Sequence, residues 1–444
     1  MNNTKKMKDS GIAWLGEIPQ GWETKRVKYL TQKVKGKNPK KIEALDKDGF
    51  FPYVTASSFE NYRYESFVSS EENLPIVNKD DSIILWDGAR AGFIDSGHYG
   101  FLSSTMISLK INNAFNKRYF YYFLKSNQKL FQDFANGTTI PHADGELLDN
   151  LQIPLPPLET QTRIANYLDK KTSQIGKFIA DKKKMIGLLK EQKQAIIHQA
   201  TTKGIDKNVK MKDSGIAWLG EIPQGWEVRR LKYFSNIKRG ASPRPIDDPK
   251  YFDENGEFSW VRISDVTASK IYLNKTEQKL SVLGASLSVK QYCGDLFLSI
   301  AGTVGKPIIA GIKCCIHDGF VSFSNLSNRV NKMFLFYILD SGNAYSGLGK
   351  EGSQLNLNID TVANISIPLP PLETQTRIAN YLDKKTSQID TAIKKIEQEI
   401  ELVEEYKKSL IYHATTGKIY ISKNQTQPIQ TKPSQTQPSQ TQPN

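Results

Sequence analysis

Cysteine is scarce in this chain of 444 residues, with three in all: Cys293, Cys314 and Cys315. Three thiols cannot build a disulfide framework, and without a C-x-x-C pair or a spaced histidine pair they set up no zinc site. They read as core filler in a reducing compartment. Long apolar runs are missing too. No stretch approaches the roughly 18 uninterrupted apolar residues of a membrane span, and the opening MNNTKKMKDSG has no apolar segment of the secretory kind. A soluble, cytoplasmic chain with no membrane partner is expected. The five histidines, His98, His142, His198, His317 and His413, are scattered. Two of them, His198 and His413, close predicted helices, where a cation suits the helix dipole.

The motifs of several chemistries are also absent. There is no G-x-x-x-x-G-K-[ST] phosphate loop, because GTVGKP lacks both the spacing and a hydroxyl residue after Lys306. No Gly-rich turn with a downstream acid is placed to cradle S-adenosylmethionine. No Asn-Pro-Pro-Tyr or Asp-Pro-Pro-Tyr segment is present to hold a flipped base. Glu191 and Lys193 could be half of a nuclease site, but they lie in a helical seam with no aspartate placed beside them. The expectation is a chain with no catalytic residues, no metal and no cofactor of its own.

The chain does have positive charge and repetition. Sixty Lys and Arg against 46 Asp and Glu give a formal charge of +14, which favours a polyanionic partner. Nucleic acid leads, with an anionic membrane surface as competitor. MKDSGIAWLGEIPQGWE stands at residues 7–23 and again, unchanged, at 211–227. IPLPPLETQTRIANYLDKKTSQI stands at 153–175 and again at 367–389. Between these blocks, residues 24–152 and 228–366 share almost no extended identity. A frame is duplicated around two different fillings. This contrast fits one fixed structural role beside two divergent ones, and recent DNA exchange between the copies would leave the same trace.

The Pro-Leu-Pro-Pro-Leu opening of the second repeat stops a strand-like segment and starts a helix that runs on without proline. In the later copy Leu382, Ile389, Ile396, Val403 and Leu410 recur every seven residues, with Ile393 and Ile400 between them. The earlier copy places Leu168, Ile175, Leu189 and Ile196 likewise, with Lys182 in one seam position and Ile179 and Ile186 between. This is a heptad seam for a left-handed helix pair. The helices run from about Leu158 to His198 and from about Leu372 to His413, each about 60 Å long at 1.5 Å per residue. Gly204 and Gly417 supply the stops. Antiparallel pairing would bury both seams and place the two fillings at opposite ends of a rod, although an ordinary oligomerisation coil has the same signature. If the halves are equivalent, the end of each helix lies by one MKDSGIAWLG copy, giving a circular, pseudo-two-fold organisation. The repeated segment then acts as a docking strap, anchored through Trp14, Leu15, Ile18 and Trp22. The last residues are four tandem pentapeptides, QTQPI to QTQPN, with too little apolar content to fold.

Both fillings read as mixed α/β. SWVRISDV (259–266) and DLFLSIAGTVGKPIIAGI (295–312) are β-rich, and NKMFLFYILDS (331–341) is helical. DDSIILWDGARAG (80–92) and NKRYFYYFLKSN (116–127) occupy the matching places in the first filling. Glycine turns at strand ends let a backbone approach phosphate, with nearby cations adding charge. The candidate contacts there are Gly88, Arg90 and Gly92, then Gly302, Thr303, Gly305 and Lys306. Basic loops add Lys35, Lys37 and Lys40 from KGKNPKK, and Arg239, Ser242 and Arg244 from KRGASPRP. Arg262 stands in the WVRISD segment. Polar loops late in each filling add Thr138, Thr139 and His142, then Gln354 and Asn356, whose side chains can read base edges.

Taken together, the repeated WLGEIPQGWE, the two unlike fillings and the repeated PLPPLETQTRIANYLD resemble the specificity subunit of type I restriction-modification enzymes. Gly240–Pro243, Trp260–Asp265 and Gly302–Gly305 match that family's G-x-S-P, W-[IV]-x-[IL]-x-D and G-T-[IV]-G features. Thr160 and Thr374 depart from its Glu-Gln helix start, and Trp86–Arg90 departs from its Gly-Thr-x-Gly turn. The resemblance implies two α/β target-recognition domains, at 1–152 and 205–366. It implies long helices at 153–204 and 367–419 forming an antiparallel coiled coil, and a tail at 420–444. It further implies that each domain reads half of a bipartite double-stranded DNA target. The partners would be two methyltransferase subunits and motor-nuclease subunits, with S-adenosylmethionine, ATP and magnesium belonging to those partners. The alternative is an adaptor whose coil assembles proteins and whose basic domains bind other ligands. A fused nuclease or methyltransferase is disfavoured by the missing motifs.

Overall fold

The computed structural model describes residues 6–59, 62–112, 114–135, 141–345 and 357–422. The chain forms two compact units, Met1–Lys182 with Gln398–Asn444, and Lys183–Glu397. Each unit contains one filling and a part of both long helices, which span Leu158–Lys203 and Leu372–Thr415. The first helix runs five residues past His198 and the second two past His413 before glycine ends them. Gly204 and Gly417 take positive φ values of 79° and 75°, a conformation that a Cβ makes costly.

In the first unit the strand Thr31–Lys35 pairs antiparallel with Met106–Ile111, which pairs in turn with Ser82–Leu85 and through it with Ile94–Asp95. A second sheet is built on the parallel pair Phe50–Val54 and Gly100–Leu102. The second unit repeats this wiring. Asn236–Arg239 pairs with Phe320–Ser324, then Leu296–Ser299, then Pro307–Ala310. Phe258–Val261 lies parallel to Cys314–Ile316. The fillings therefore share a topology that their letters do not show. Within SWVRISDV only the first part is strand. Ile263–Ala268 is a short helix, with the Asp265 carboxylate accepting from the Arg262 N–H at 2.8 Å. An acid three residues into an apolar-alternating segment is a capping signal that outweighs the alternation.

Each strap, Met7–Asp9 against Glu17–Pro19 and Met211–Asp213 against Glu221–Pro223, is a small hairpin. Leu15, Ile18 and Trp22 share a core with Leu410, Ile411 and Ala414 at the end of the second long helix. Leu219, Ile222 and Trp226 do the same with Ile197 and Ala200 at the end of the first. Tyr412 donates to the Trp14 carbonyl at 3.2 Å. Each helix end thus meets a strap, as equivalence of the halves requires. Trp14 is the exception among the anchors, 41% exposed and tilted against Phe123.

The seams pair antiparallel within each unit. Leu168 and Ile175 share a core with Leu410, and Ile179 and Val403 pack against it; in the other unit Ile197 meets Leu382, with Ile196 alongside. Ile393, Ile396 and Ile400 are buried, and Ile186, Leu189 and Ile389 are half-buried. Two lysines occupy seam positions and are paired across it, Lys182 with Glu399 at 2.7 Å and Lys193 with Asp390 at 2.8 Å. Lys193 is thereby engaged in helix pairing.

A clasp occurs once per unit. Asn116 and Asn331 cap the helices Lys117–Ser126 and Lys332–Asp340. Their backbone N–H groups donate to the buried amides of Gln161 and Gln375 at 3.0 and 2.8 Å. Tyr122 and Tyr337 donate to Asp169 and Asp383, each at 2.6 Å. The shared frame supplies one half of each clasp and the filling supplies the other, so unlike domains dock on like helices.

Two sequence expectations are corrected. Cys293 is exposed, while Cys314 and Cys315 are core. His198 is no helix-end cation: burial and the charge of Lys203 push its pKa down, and its Nδ1 accepts from the Asn343 amide at 3.1 Å. No helix among the described residues is long and apolar enough to cross a membrane.

Candidate nucleic-acid interface

In the first unit the loop after Thr31–Lys35 is fastened by Gly36. Its N–H donates to Met106 at 3.0 Å and the next, from Lys37, to Leu102 at 3.1 Å. A Cβ on Gly36 would stand 2.0 Å from the Ser103 carbonyl oxygen, so only glycine fits. In the second unit Gly240 donates to Phe320 at 2.9 Å and Ala241 to Ile316 at 3.1 Å, with a Cβ again 2.0 Å from a carbonyl, that of His317. The two basic loops are held by one device.

The neighbouring turns match as well. Trp86 and Asp87 donate backbone N–H groups to Thr105, as Ile300 and Ala301 do to Gly319. Gly92 closes on Leu85 as Gly305 closes on Ser299, each at 2.8 Å. Gly88, Gly92, Gly302 and Gly305 all have positive φ. WDGARAG is therefore the same turn as IAGTVG with one residue more, despite its different letters.

These turns carry different side chains. Lys35 Nζ and His142 Nδ1 both meet the Asp87 carboxylate at 2.7 Å, and Lys35 lies over the Trp86 ring. Burial pushes the Asp87 pKa up, but hydrogen bonds from Lys35 and His142 outweigh it and hold the carboxyl below its usual range. Gly88 donates to Pro141 at 2.9 Å, so Lys35, Gly88 and His142 are brought together. Lys37 and Lys40 are exposed on the same loop, whose backbone is tied down where the Tyr53 hydroxyl donates to the Lys37 carbonyl and the Lys40 N–H donates to Glu72. Arg90 is engaged within its own domain: its guanidinium covers the Phe93 ring at 4.4 Å and donates to the Ala56 carbonyl at 3.4 Å.

In the second unit Asp318 is the gathering point. Arg239 Nε donates to its carbonyl at 2.7 Å, Ser242 Oγ to its Oδ1 at 3.2 Å and Arg244 to its Oδ2 at 3.0 Å. Burial again raises this carboxyl and is again outweighed, here by the Ser242 hydrogen bond and the Arg244 charge. Beside this cluster is a cleft of about 510 Å³ lined by Asp247, Phe252, Trp260, Arg262 and Gln278 among others. Arg262 reaches Glu277 at 3.0 Å and also binds Gln278.

Thr303 and Lys306 have internal partners. Thr303 Oγ1 is 2.9 Å from Thr267 Oγ1, and Lys306 Nζ donates to the carbonyls of Thr267 and Ser269 at 3.0 and 2.7 Å. Burial lowers the Lys306 pKa, and it caps the helix Ile263–Ala268 at its negative end. Thr138, Thr139, Gln354 and Asn356 lie outside the described residues, as do residues 423–444. Among the described residues, no group of three or more His, Cys, Asp or Glu side chains is placed to hold a metal. Sequence reasoning missed both organising acids. Their only signal was an aspartate beside each candidate loop or turn.

A family profile described as the type I restriction modification DNA specificity domain matches residues 19–186 and 223–402. Over 430 residues the chain is 32% identical to the type I restriction enzyme MjaVIII specificity subunit of Methanocaldococcus jannaschii, covering 91% of this chain and 94% of that protein. It is 23% identical over 363 residues to the EcoBI specificity subunit of Escherichia coli, covering 77% and 74%. A solved chain from work on complex assembly and conformational transition of the type I R-M system matches with a TM-score of 0.71. That match has 18% identity and covers 90% of this chain and 99% of the other; at that identity the likeness is one of fold.

Proposed function

We propose that this chain, which belongs to the specificity subunits of type I restriction-modification enzymes, reads a split DNA target with one recognition domain per half-site. The observation that carries the reading is the loop and turn framework held by Gly36 in one unit and Gly240 in the other. It has the same backbone hydrogen bonds twice, with different polar side chains on each copy. Identical scaffolds presenting different donors and acceptors suit two different base sequences.

On this reading residues 1–152 and 205–366 are the recognition domains. The helical stretches 153–204 and 367–419 set the spacer and seat two methyltransferase subunits. The chain performs no bond-making step itself. Its partners supply adenine methylation from S-adenosylmethionine and cleavage driven by ATP with magnesium, in the cytoplasm where the DNA is. The exposed Lys35, Lys37, Lys40, Arg239 and Arg244 meet phosphate or base edges, and their charge makes binding salt-dependent. Arg90, Thr303 and Lys306 contribute through the turn they stabilise.

The test is methylation sequencing of a host that expresses the chain with its methyltransferase subunits. A bipartite motif with an unread spacer is expected. Replacing residues 24–152 with the corresponding block of another specificity subunit should change one half-site and leave the other untouched. A continuous motif, or a change in both halves, would overturn the reading. Binding to duplex DNA without sequence preference would favour the adaptor alternative.

A further inference from the structure

The equivalence of the two frameworks extends to the side chains that close each loop against its neighbouring turn. Matching Gly36 with Gly240 and Leu102 with Ile316 by their hydrogen bonds places Asn38 opposite Ser242, Lys40 opposite Arg244 and Ser104 opposite Asp318. Both pairs are joined across the same gap. Ser104 Oγ donates to Asn38 Oδ1 at 2.6 Å, and Ser242 Oγ donates to Asp318 Oδ1 at 3.2 Å. One framework thus ends in an amide oriented by a hydroxyl. The other ends in a carboxylate that also holds Arg244, whose side chain is 71% exposed.

We propose that Asn38, set by Ser104, and Arg244, set by Asp318, are the residues that make the two half-sites different: the amide reads an adenine and the guanidinium reads a guanine. The inference rests on the split-target reading above. An amide matches the N6 donor and N7 acceptor of adenine, and a guanidinium fork matches O6 and N7 of guanine. In each case the buttress takes only part of the group's capacity. Asn38 keeps both amino hydrogens and an acceptor lone pair, and Asp318 takes one of the five N–H donors of Arg244. The buttress fixes the group's orientation before DNA arrives, so less side-chain entropy is lost on binding. The close approach of Gly36 and Gly240 keeps both loops from shifting. Exposed cations on the same loops, Lys37 and Lys40 in one unit and Arg239 in the other, supply the phosphate attraction that brings a duplex to this edge.

The experiment uses the assembled complex with its methyltransferase subunits. The probes are duplexes carrying the wild-type motif, found by methylation sequencing, and every single-base change in each half. If wild type yields no split motif, the functional reading itself has failed; the variants are judged only against a split motif. Asn38→Ala should weaken binding to the native duplex by about 10- to 100-fold and abolish discrimination at one adenine of one half-site, with the other half unaffected. Arg244→Lys, which keeps the charge and loses the fork, should do the same at one guanine of the other half. Ser104→Ala and Asp318→Asn, which weaken the buttress and leave the reading group in place, should give smaller losses at those same two bases. These milder variants decide the question if Asn38→Ala does not fold. Uniform weakening over all duplexes with a reduced salt slope would make the residues phosphate contacts. Unchanged discrimination at every position would make the pairs mere loop pins. Either result overturns the proposal.

Discussion

Replacing Gln375 tests whether the clasp holds a recognition domain to its helix. Its side chain is fully buried, and its amide makes three hydrogen bonds: it accepts from Asn331 N–H at 2.8 Å and donates to the Arg329 and Pro370 carbonyls, both at 2.9 Å. Gln375→Ala leaves one N–H and two carbonyls without this partner. At about 1–3 kcal/mol for each buried group left unsatisfied, with the carbonyls nearer the low end because each has a second lone pair, the loss is about 3–5 kcal/mol. For a unit of this size about 1 kcal/mol moves the melting point by roughly 2–4 °C. A fall of about 6–20 °C in the transition of the second unit is therefore expected by calorimetry. Gln161 makes two such bonds, to Asn116 and Pro156 at 3.0 and 2.8 Å, so Gln161→Ala should cost about 2–3 kcal/mol in the first unit. Gln375→Met keeps the volume and loses the bonds, and it should cost nearly as much as alanine. A shift below about 2 °C for Gln375→Ala would refute the reasoning, and a near-wild-type methionine variant would show that packing, not hydrogen bonding, makes the clasp.

Burial holds the Asp340 carboxyl above its usual range, partly offset by Lys193 and Lys306. A carboxyl whose folded pKa is raised destabilises the fold where it is ionised, and that penalty disappears as pH falls through the raised value. Asp340→Asn should therefore raise the melting temperature at neutral pH and give no gain at low pH; a gain independent of pH would contradict the burial argument. Iodoacetamide on the native chain should label Cys293 and spare Cys314 and Cys315, whose thiols burial pushes to about 12, and labelling of all three by mass spectrometry would place the latter two outside the core. Deleting four residues at matched positions in both long helices shortens each by about 6 Å. The spacer of the methylation motif should change by about two base pairs with both half-sites intact; an unchanged spacer would end the idea that the helices measure it.

The long-range plan was legible because it is written in periodicity and repetition. Seam residues such as Leu168, Leu382 and Leu410 follow from a period of seven, and they are buried in the structure. The short helix Ile263–Ala268 was misread because Val261 and Ile263 alternate like a strand across its start, and the Asp265 cap decided the matter locally. The candidate site was legible only in part. Glycine positions such as Gly88 and Gly302 could be found because a turn imposes them. Whether a nearby cation is free or engaged depends on contacts from elsewhere in the chain. Lys306 and Arg90 look like phosphate contacts in sequence, yet Thr267 and Ser269 bind one and Phe93 and Ala56 bind the other. Asp87 and Asp318 were passed over because an acid argues against an anionic partner until its basic neighbours are known.

The same reasoning explains why the helix seam contains lysines at all. A seam of Leu and Ile alone would tolerate a slip of one heptad, since the apolar pattern repeats every seven residues. Lys182 meets Glu399 and Lys193 meets Asp390. A slip of seven in one direction would bring Lys193 to Glu397 but Lys182 to Tyr406. In the other direction Lys193 would meet Asp383 while Lys182 met Ala392. Either slip leaves Lys182 facing the seam without its carboxylate. Ion pairs still partly open to solvent contribute little to stability, so their worth here is that a slip of one heptad either way loses one. One heptad is about 10 Å of helix, or about three base pairs of B-form DNA. On the proposed function, a coil free to slip would blur the spacer by that amount, so neutralising Lys182 together with Glu399 should broaden the spacer preference before it lowers the melting temperature.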